Sequence, residues 1–148
     1  MSFKDLTLKK EYRSLIDNIV KDFYCPVLGQ SVLYKRAVGF FSSTALADIS
    51  KGLSKLVDNG GKIELVASPH ISNEDWEAIK DGYKSRDEVI RKSVLGELYE
   101  PKNKFEEKRL NMLAHLIATG KLDIKIAFIE KINVGIFHEK MGLMYDAE

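Results

Sequence analysis

Cysteine occurs once in the 148 residues, at Cys25, so no internal disulfide can form, and the expected compartment is a reducing cytoplasm. Long apolar runs are missing as well: none approaches the roughly 20 residues that span a bilayer. The opening Met1-Ser2-Phe3-Lys4-Asp5 lacks the apolar core of a signal peptide. No stretch reads as a membrane-facing helix with exposed aromatic and basic residues, so no membrane partner is expected. An excess of one charge is also absent. Lys and Arg number 23 against 22 Asp and Glu, a net charge of +1. Basic residues cluster at Lys9-Lys10, Lys35-Arg36 and from Lys102 to Arg109, but acids interleave the last run as on a solvated helix face. A nucleic-acid partner must therefore be argued from a site and not from bulk charge. Internal repeats, low-complexity tracts and flexible linkers are not found either, which leaves one domain over 1–148.

What is present suits a globular chain: 45% apolar and 30% charged residues, in a length that can bury a sizeable core. Leu8, Tyr12, Leu15, Ile16, Ile19 and Phe23 recur at helical spacing and predict a helix from about Leu6 to Phe23, broken by Cys25-Pro26. Val32 to Phe41 is rich in β-branched and aromatic residues and predicts a strand. Ser42-Ser43-Thr44 then offers N-cap hydroxyls to a helix that carries Leu46, Ile49, Leu53, Leu56 and Val57 and stops at Asn59-Gly60-Gly61. A second strand, Ile63 to Ser68, ends at Pro69. Ser72 or Asn73 caps a helix with an acidic first turn, through Trp76, Ile79 and Tyr83, with Gly82 a weak point. Helical spacing resumes over 89–98 until Pro101, and again from Lys104 to Ala118 until Thr119-Gly120. Leu122 to Ile129 predicts a third strand, and Asn133-Val134-Gly135 turns the chain into a fourth.

Strands separated by helices imply parallel crossovers, whereas the last two, joined by a short turn, are expected to pair with each other antiparallel. The expected class is α/β, a layered mixed sheet flanked by helices. Because the chain stops at Asp146-Ala147-Glu148, just past the last strand, it is expected to be the N-terminal fragment of a larger polypeptide.

That last strand carries the sharpest chemical signal. His138 and Lys140 alternate onto one face with Ile136, Gly142 and Met144, their Cα atoms roughly 6.5–7 Å apart. Both can converge on one small anion, and Gly142 puts no side chain in the way. Phe137, Met141, Leu143 and Tyr145 make the opposite face, expected to point into the core, with Glu139 the exception and paired there with Arg36 or Lys125. A lysine buried without a charge partner would cost several kcal/mol, which argues that Lys140 serves a ligand. Bland readings hold elsewhere. Cys25 is a small packing residue, Trp76 and Tyr83 are core, and His70 and His115 lack partners at metal-ligand spacing. Met141 and Gly142 follow where a zinc-protease H-E-x-x-H would need its second histidine, so no metal and no cofactor is expected. Ser42 and Ser43, at a strand-to-helix junction where backbone N–H groups favour anions, are candidate binding residues, with capping as their alternative role.

The stretch His138-Glu139-Lys140-Met141-Gly142-Leu143-Met144-Tyr145-Asp146 resembles the His-x-Lys-Asp motif of the phospholipase D superfamily. Tyr34 to Ser42 and Lys62 to Pro69 resemble the opening strands of its nuclease-like domains, in particular those fused to superfamily II helicases in bacterial restriction and defence proteins. Tyr145 stands where the family has its aspartate; Asp146 follows one residue later. The family also continues into a small-residue Gly-Ser and Asn turn, and the chain ends before it. The resemblance implies a phospholipase D-like half-domain and metal-independent cleavage of a phosphodiester in nucleic acid, DNA before RNA. His138 would be the nucleophile and Lys140 the partner of the non-bridging oxygens. A second His-x-Lys motif, from a homodimer or from downstream sequence, would protonate the leaving oxygen, so the fragment is expected to be inactive alone. The rival expectation is a non-catalytic module that keeps the fold for dimerisation or DNA engagement.

Overall fold

The β-branched and aromatic run after Gly29 forms strand β1, Leu33–Val38, in which Tyr34 and Val38 are buried and Lys35 is exposed. That alternation assigns one face of the strand to the core and one to solvent. A computed structural model describes residues 2–68, 72–84, 104–127 and 138–148 of the chain. The remaining strands are β2, Lys62–Ala67, β3, Leu122–Ile126, and β4, Lys140–Tyr145. They form one sheet in the order β3-β2-β1-β4. β1 and β2 run parallel, as do β2 and β3, while β4 is antiparallel to β1. The fold is thus α/β, a mixed four-stranded sheet with flanking helices.

The helices are α1, Cys25–Leu28, α2, Ser43–Asp48, α3, Ser50–Asp58, α4, Asn73–Lys84, and α5, Lys104–Ala118. Tyr34, Val38, Ile63, Leu65, Ala67, Leu122 and Ile124 of the sheet bury against Leu28, Leu46, Leu53, Leu56, Ile79, Leu110, Leu113 and Ile117 in one core. All of these strand residues lie on one face. Among the described residues the other face, with Lys35, Asp123, Met141, Leu143 and Tyr145, is exposed.

Local signals explain the element ends. Ser42 caps α2 by accepting the Thr44 N–H at 3.2 Å, and Ser72 accepts the Asp75 N–H at 3.1 Å at the head of α4. Gly60 and Gly120 sit at φ 79° and 69°, the left-handed turn that ends α3 and α5. The helix expected over Leu46 to Val57 is divided at Ile49 (φ −97°, ψ 12°). The expected strand and helix ends at Pro69 and Pro101, the helix over 89–98, and the turn at 133–135 lie outside the described residues.

Two expectations are overturned. β4 does not pair with β3; it pairs with β1, at the opposite edge of the sheet. Crossing two intervening strands requires roughly 14 Å at about 4.8 Å per strand, a span easily covered by residues 127–139, so no tight hairpin constrains the order. The helix expected from Leu6 to Phe23 is likewise absent over most of that range. Leu15, at φ 73°, and Ile16 stand 106% and 76% exposed, so these two members of the apolar stripe meet no surface. Side-chain-to-backbone bonds hold turns instead, Asp17 accepting the Arg13 N–H at 2.8 Å and Asp22 the Asn18 N–H at 3.1 Å. After the short 3-10 turn Phe3–Asp5, helical structure resumes only with the π-turn Val20–Tyr24 and continues through Pro26. The Cys25 N–H reaches back to Val20, and this wider turn eases the clash a proline ring makes in a regular helix.

Candidate functional site

In an open α/β sheet, the chain leaves the carboxyl ends of parallel strands in loops that form a crevice, the usual place for ligands. Here that end is built by Val38-Gly39 after β1 and Ser68 after β2. The Ser68 hydroxyl donates to the Gly39 carbonyl at 2.5 Å and the Ser68 N–H to the Val38 carbonyl at 3.2 Å. Because β4 runs the other way, its start falls at the same end. Lys140 lies opposite Val38, and the Gly39 N–H donates to the Glu139 carbonyl at 2.8 Å, extending the ladder one residue toward His138.

Strand alternation puts Lys140 and Gly142 on the face of Tyr34, Arg36 and Val38, the side covered by the helices. Sequence placed His138, Lys140, Gly142 and Met144 together, and for the strand itself that grouping stands; Met144 packs against the core. The strand begins at Lys140, so His138 precedes it, and Ile136 and Phe137 lie outside the described residues.

Burial differs from the expectation. β4 is an edge strand, and His138 and Lys140 are both exposed. The desolvation cost that argued for a ligand at Lys140 therefore does not arise. Met141, Leu143 and Tyr145, expected in the core, are 53%, 43% and 45% exposed on the open sheet face. The physical reason is that the described helices all pack on the other side. Glu139 is exposed on that open face too, and makes no ion pair with Arg36 or Lys125.

The two serines separate. Ser42 is half-buried, caps α2, and lines a small cleft of about 20 Å³ with Arg36, Val38, Phe40 and Leu46 at the same sheet end. Ser43 is fully buried. Its hydroxyl donates to Asp75 Oδ1 at 2.6 Å, its N–H donates to Asp75 Oδ2 at 3.2 Å, and it accepts from Arg109 Nη1 at 2.8 Å. A hydroxyl so engaged is a structural pin between α2, α4 and α5, which gives Ser43 a packing role and leaves the cap to Ser42.

Asp146, next to the motif position held by Tyr145, is also in structural use: its Oδ2 accepts the Phe3 N–H at 2.7 Å and ties the two chain ends together. Tyr83 is no core residue. It is 47% exposed, with its hydroxyl donating to Asp123 Oδ1 at 2.9 Å and accepting the Ile124 N–H at 2.8 Å. The Trp76 side chain and His70 lie outside the described residues; His115 is on the exposed surface of α5. Among the described residues no three His, Cys, Asp or Glu side chains group as metal ligands. No helix there is long and apolar enough to cross a membrane.

Arg36, one of the two partners expected for Glu139, stands apart from that role. It faces Gly142 across the β1–β4 ladder and is the diagonal neighbour of Lys140. Its Nη1 donates to the Tyr34 hydroxyl at 2.9 Å, and it has no carboxylate partner among the described residues. A Cβ at residue 142 would sit 3.4 Å from the Tyr34 ring and 3.7 Å from its hydroxyl, beside the Arg36 contact. The signal was available in the period-two pattern Tyr34, Arg36, Val38, a cation on an otherwise buried face. No protein-family model, curated protein or solved structure matches the chain.

Proposed function

We propose that this chain is a phospholipase D-like phosphodiesterase module acting on nucleic acid without a metal ion, within a helicase or restriction-type protein. The observation that supports this reading is the placement of Lys140 at the start of β4, with His138 two residues before it, at the carboxyl end of the parallel strands. An unprotonated His138 nitrogen attacks phosphorus in line. The bond from phosphorus to the leaving oxygen breaks, and that oxygen takes its proton from a second histidine. Water then attacks the phosphohistidine, giving up a proton to the second histidine and restoring the imidazole. Lys140 offsets the charge that builds on the non-bridging oxygens. The second histidine comes from a second copy of the chain or from further polypeptide, and the exposure of both residues on an edge strand leaves room for it.

The same exposure favours one alternative, a non-catalytic module that engages DNA through Lys140 and His138. Cleavage of a labelled DNA in EDTA by the full-length protein separates the two. His138→Ala is expected to lower the rate by about 10³-fold or more, in the range set by loss of a catalytic acid–base or nucleophilic group. Because His138 is exposed, its removal should leave thermal unfolding unchanged. Binding without any cleavage would establish the alternative, and an undiminished rate in His138→Ala would remove His138 from the chemistry.

A further inference from the structure

We infer that Arg36 belongs to the same anion site and holds the phosphate next to the one that His138 and Lys140 address, which makes a polynucleotide strand, and not an isolated phosphodiester, the substrate class. This rests on the proposed phosphodiesterase reading.

Three observations converge. Arg36 and Lys140 occupy neighbouring positions on one face of the β1–β4 ladder, with Arg36 opposite Gly142 and Lys140 opposite Val38, and His138 lies two residues before Lys140 in the chain. Diagonal neighbours on an antiparallel pair are roughly 7–8 Å apart, a separation that lets the guanidinium and the ammonium meet two anionic groups in series. The Arg36 head is held by a single neutral acceptor, the Tyr34 hydroxyl, at 2.9 Å. A guanidinium has five N–H donors in a planar fork and takes phosphate in a bidentate manner. No carboxylate among the described residues is within ion-pair distance to occupy that fork. Finally, Gly142 carries no side chain beside the Tyr34 hydroxyl, where a Cβ would stand in contact at 3.7 Å. The cleft that Arg36 shares with Ser42 holds only about 20 Å³, so the phosphate sits at its mouth.

The test compares the full-length protein with Arg36→Gln and Arg36→Lys, using fluorescence anisotropy on a labelled oligonucleotide across a salt series. Cleavage of that oligonucleotide and of bis(4-nitrophenyl) phosphate is measured alongside. Losing one phosphate contact should reduce the slope of log K against log salt by about 0.7–0.9 in Arg36→Gln, while Arg36→Lys keeps the wild-type slope. Oligonucleotide kcat/KM should fall about tenfold or more in Arg36→Gln, the loss expected for a hydrogen bond to a charged group, with the small diester unaffected. Tyr34→Phe, which keeps the charge but frees the guanidinium, should lose part of the oligonucleotide kcat/KM and none of the salt slope. An unchanged slope in Arg36→Gln overturns the assignment, and so does an equal loss on both substrates. If the wild-type protein cleaves neither substrate, the phosphodiesterase reading fails and the salt slopes alone decide the Arg36 contact. If it does not bind the oligonucleotide, both are overturned.

Discussion

Replacing Asp75 by alanine should be among the most damaging single changes in the described part of the chain, and the reason is local. Asp75 is 1% exposed, accepts from the Ser43 hydroxyl at 2.6 Å and from the Ser43 N–H at 3.2 Å, and stands 3.8 Å from Arg109 Nη1. Its removal strands two donors in the core and takes a carboxylate from beside a guanidinium whose side chain is 13% exposed. Breaking a buried charged pair typically costs about 3–5 kcal/mol. The 3.8 Å separation, and the hydroxyls of Ser43 and Thr44 that Arg109 retains at 2.8 and 3.3 Å, place the present case near the lower end. About 3 kcal/mol, with an m-value near 2 kcal/mol per M in urea, moves the unfolding midpoint down by about 1.5 M. Ser43→Ala removes the two charged hydrogen bonds of that hydroxyl, to Asp75 and from Arg109, but leaves both charges in place, and should cost roughly 1.5–3 kcal/mol. Both variants should bind oligonucleotide as the wild type does under conditions where they are folded. A loss below about 1 kcal/mol for Asp75→Ala would refute the structural account of this cluster. Weakened binding in a fully stable Ser43→Ala would restore Ser43 to the anion site.

Two further outcomes follow from packing and from titration. Gly82→Ala should lower the melting temperature even though alanine is the better helix former by about 1 kcal/mol. A Cβ there would stand 2.7 Å from Ile117 Cγ2 and 2.8 Å from its Cβ, and overpacking of that kind costs about 1–3 kcal/mol. A rise in melting temperature would show that α4 and α5 can separate freely. Burial raises the Tyr34 phenol above its ordinary value, against the opposing pull of the Arg36 charge. The unfolded chain therefore releases this proton first, and the associated stability, complete below about pH 10, is lost as pH rises through the folded-state value. Urea midpoints between pH 9 and 11 should fall less steeply in Tyr34→Phe than in the wild type; coincident slopes would deny the shift.

What could be read along the chain was whatever depends on near neighbours. The α5 boundaries, Lys104–Ala118, were legible because helical spacing meets a left-handed stop at Gly120. The Ser42 cap and the turn at Gly60 were legible for the same reason. The N-terminal apolar stripe misled, since spacing shows that a helix could have a buried side and not that any surface waits to bury it. Leu15 and Ile16 have none. The Ser43–Asp75–Arg109 cluster joins residues 32 and 66 positions apart, and no local pattern announces it.

The candidate site shows the same limit in a sharper form, because its residues were found while the reason first given for them fails. Period two alone groups Lys140 with Gly142 and Met144, whichever strand lies beside them. Exposure depends on sheet order, and with β4 at the edge Lys140 loses nothing by being charged. Cost of burial therefore cannot mark Lys140 as functional. It bears instead on Arg36, half-buried one strand inward, whose guanidinium meets only a phenol oxygen among the described residues. A cation in that position is less hydrated than one on the rim and gains more from an arriving phosphate. Of the cations on this face, substitution of Arg36 should accordingly change affinity more than substitution of Lys140. Lys140 should matter more for turnover, where charge on the reacting phosphate grows.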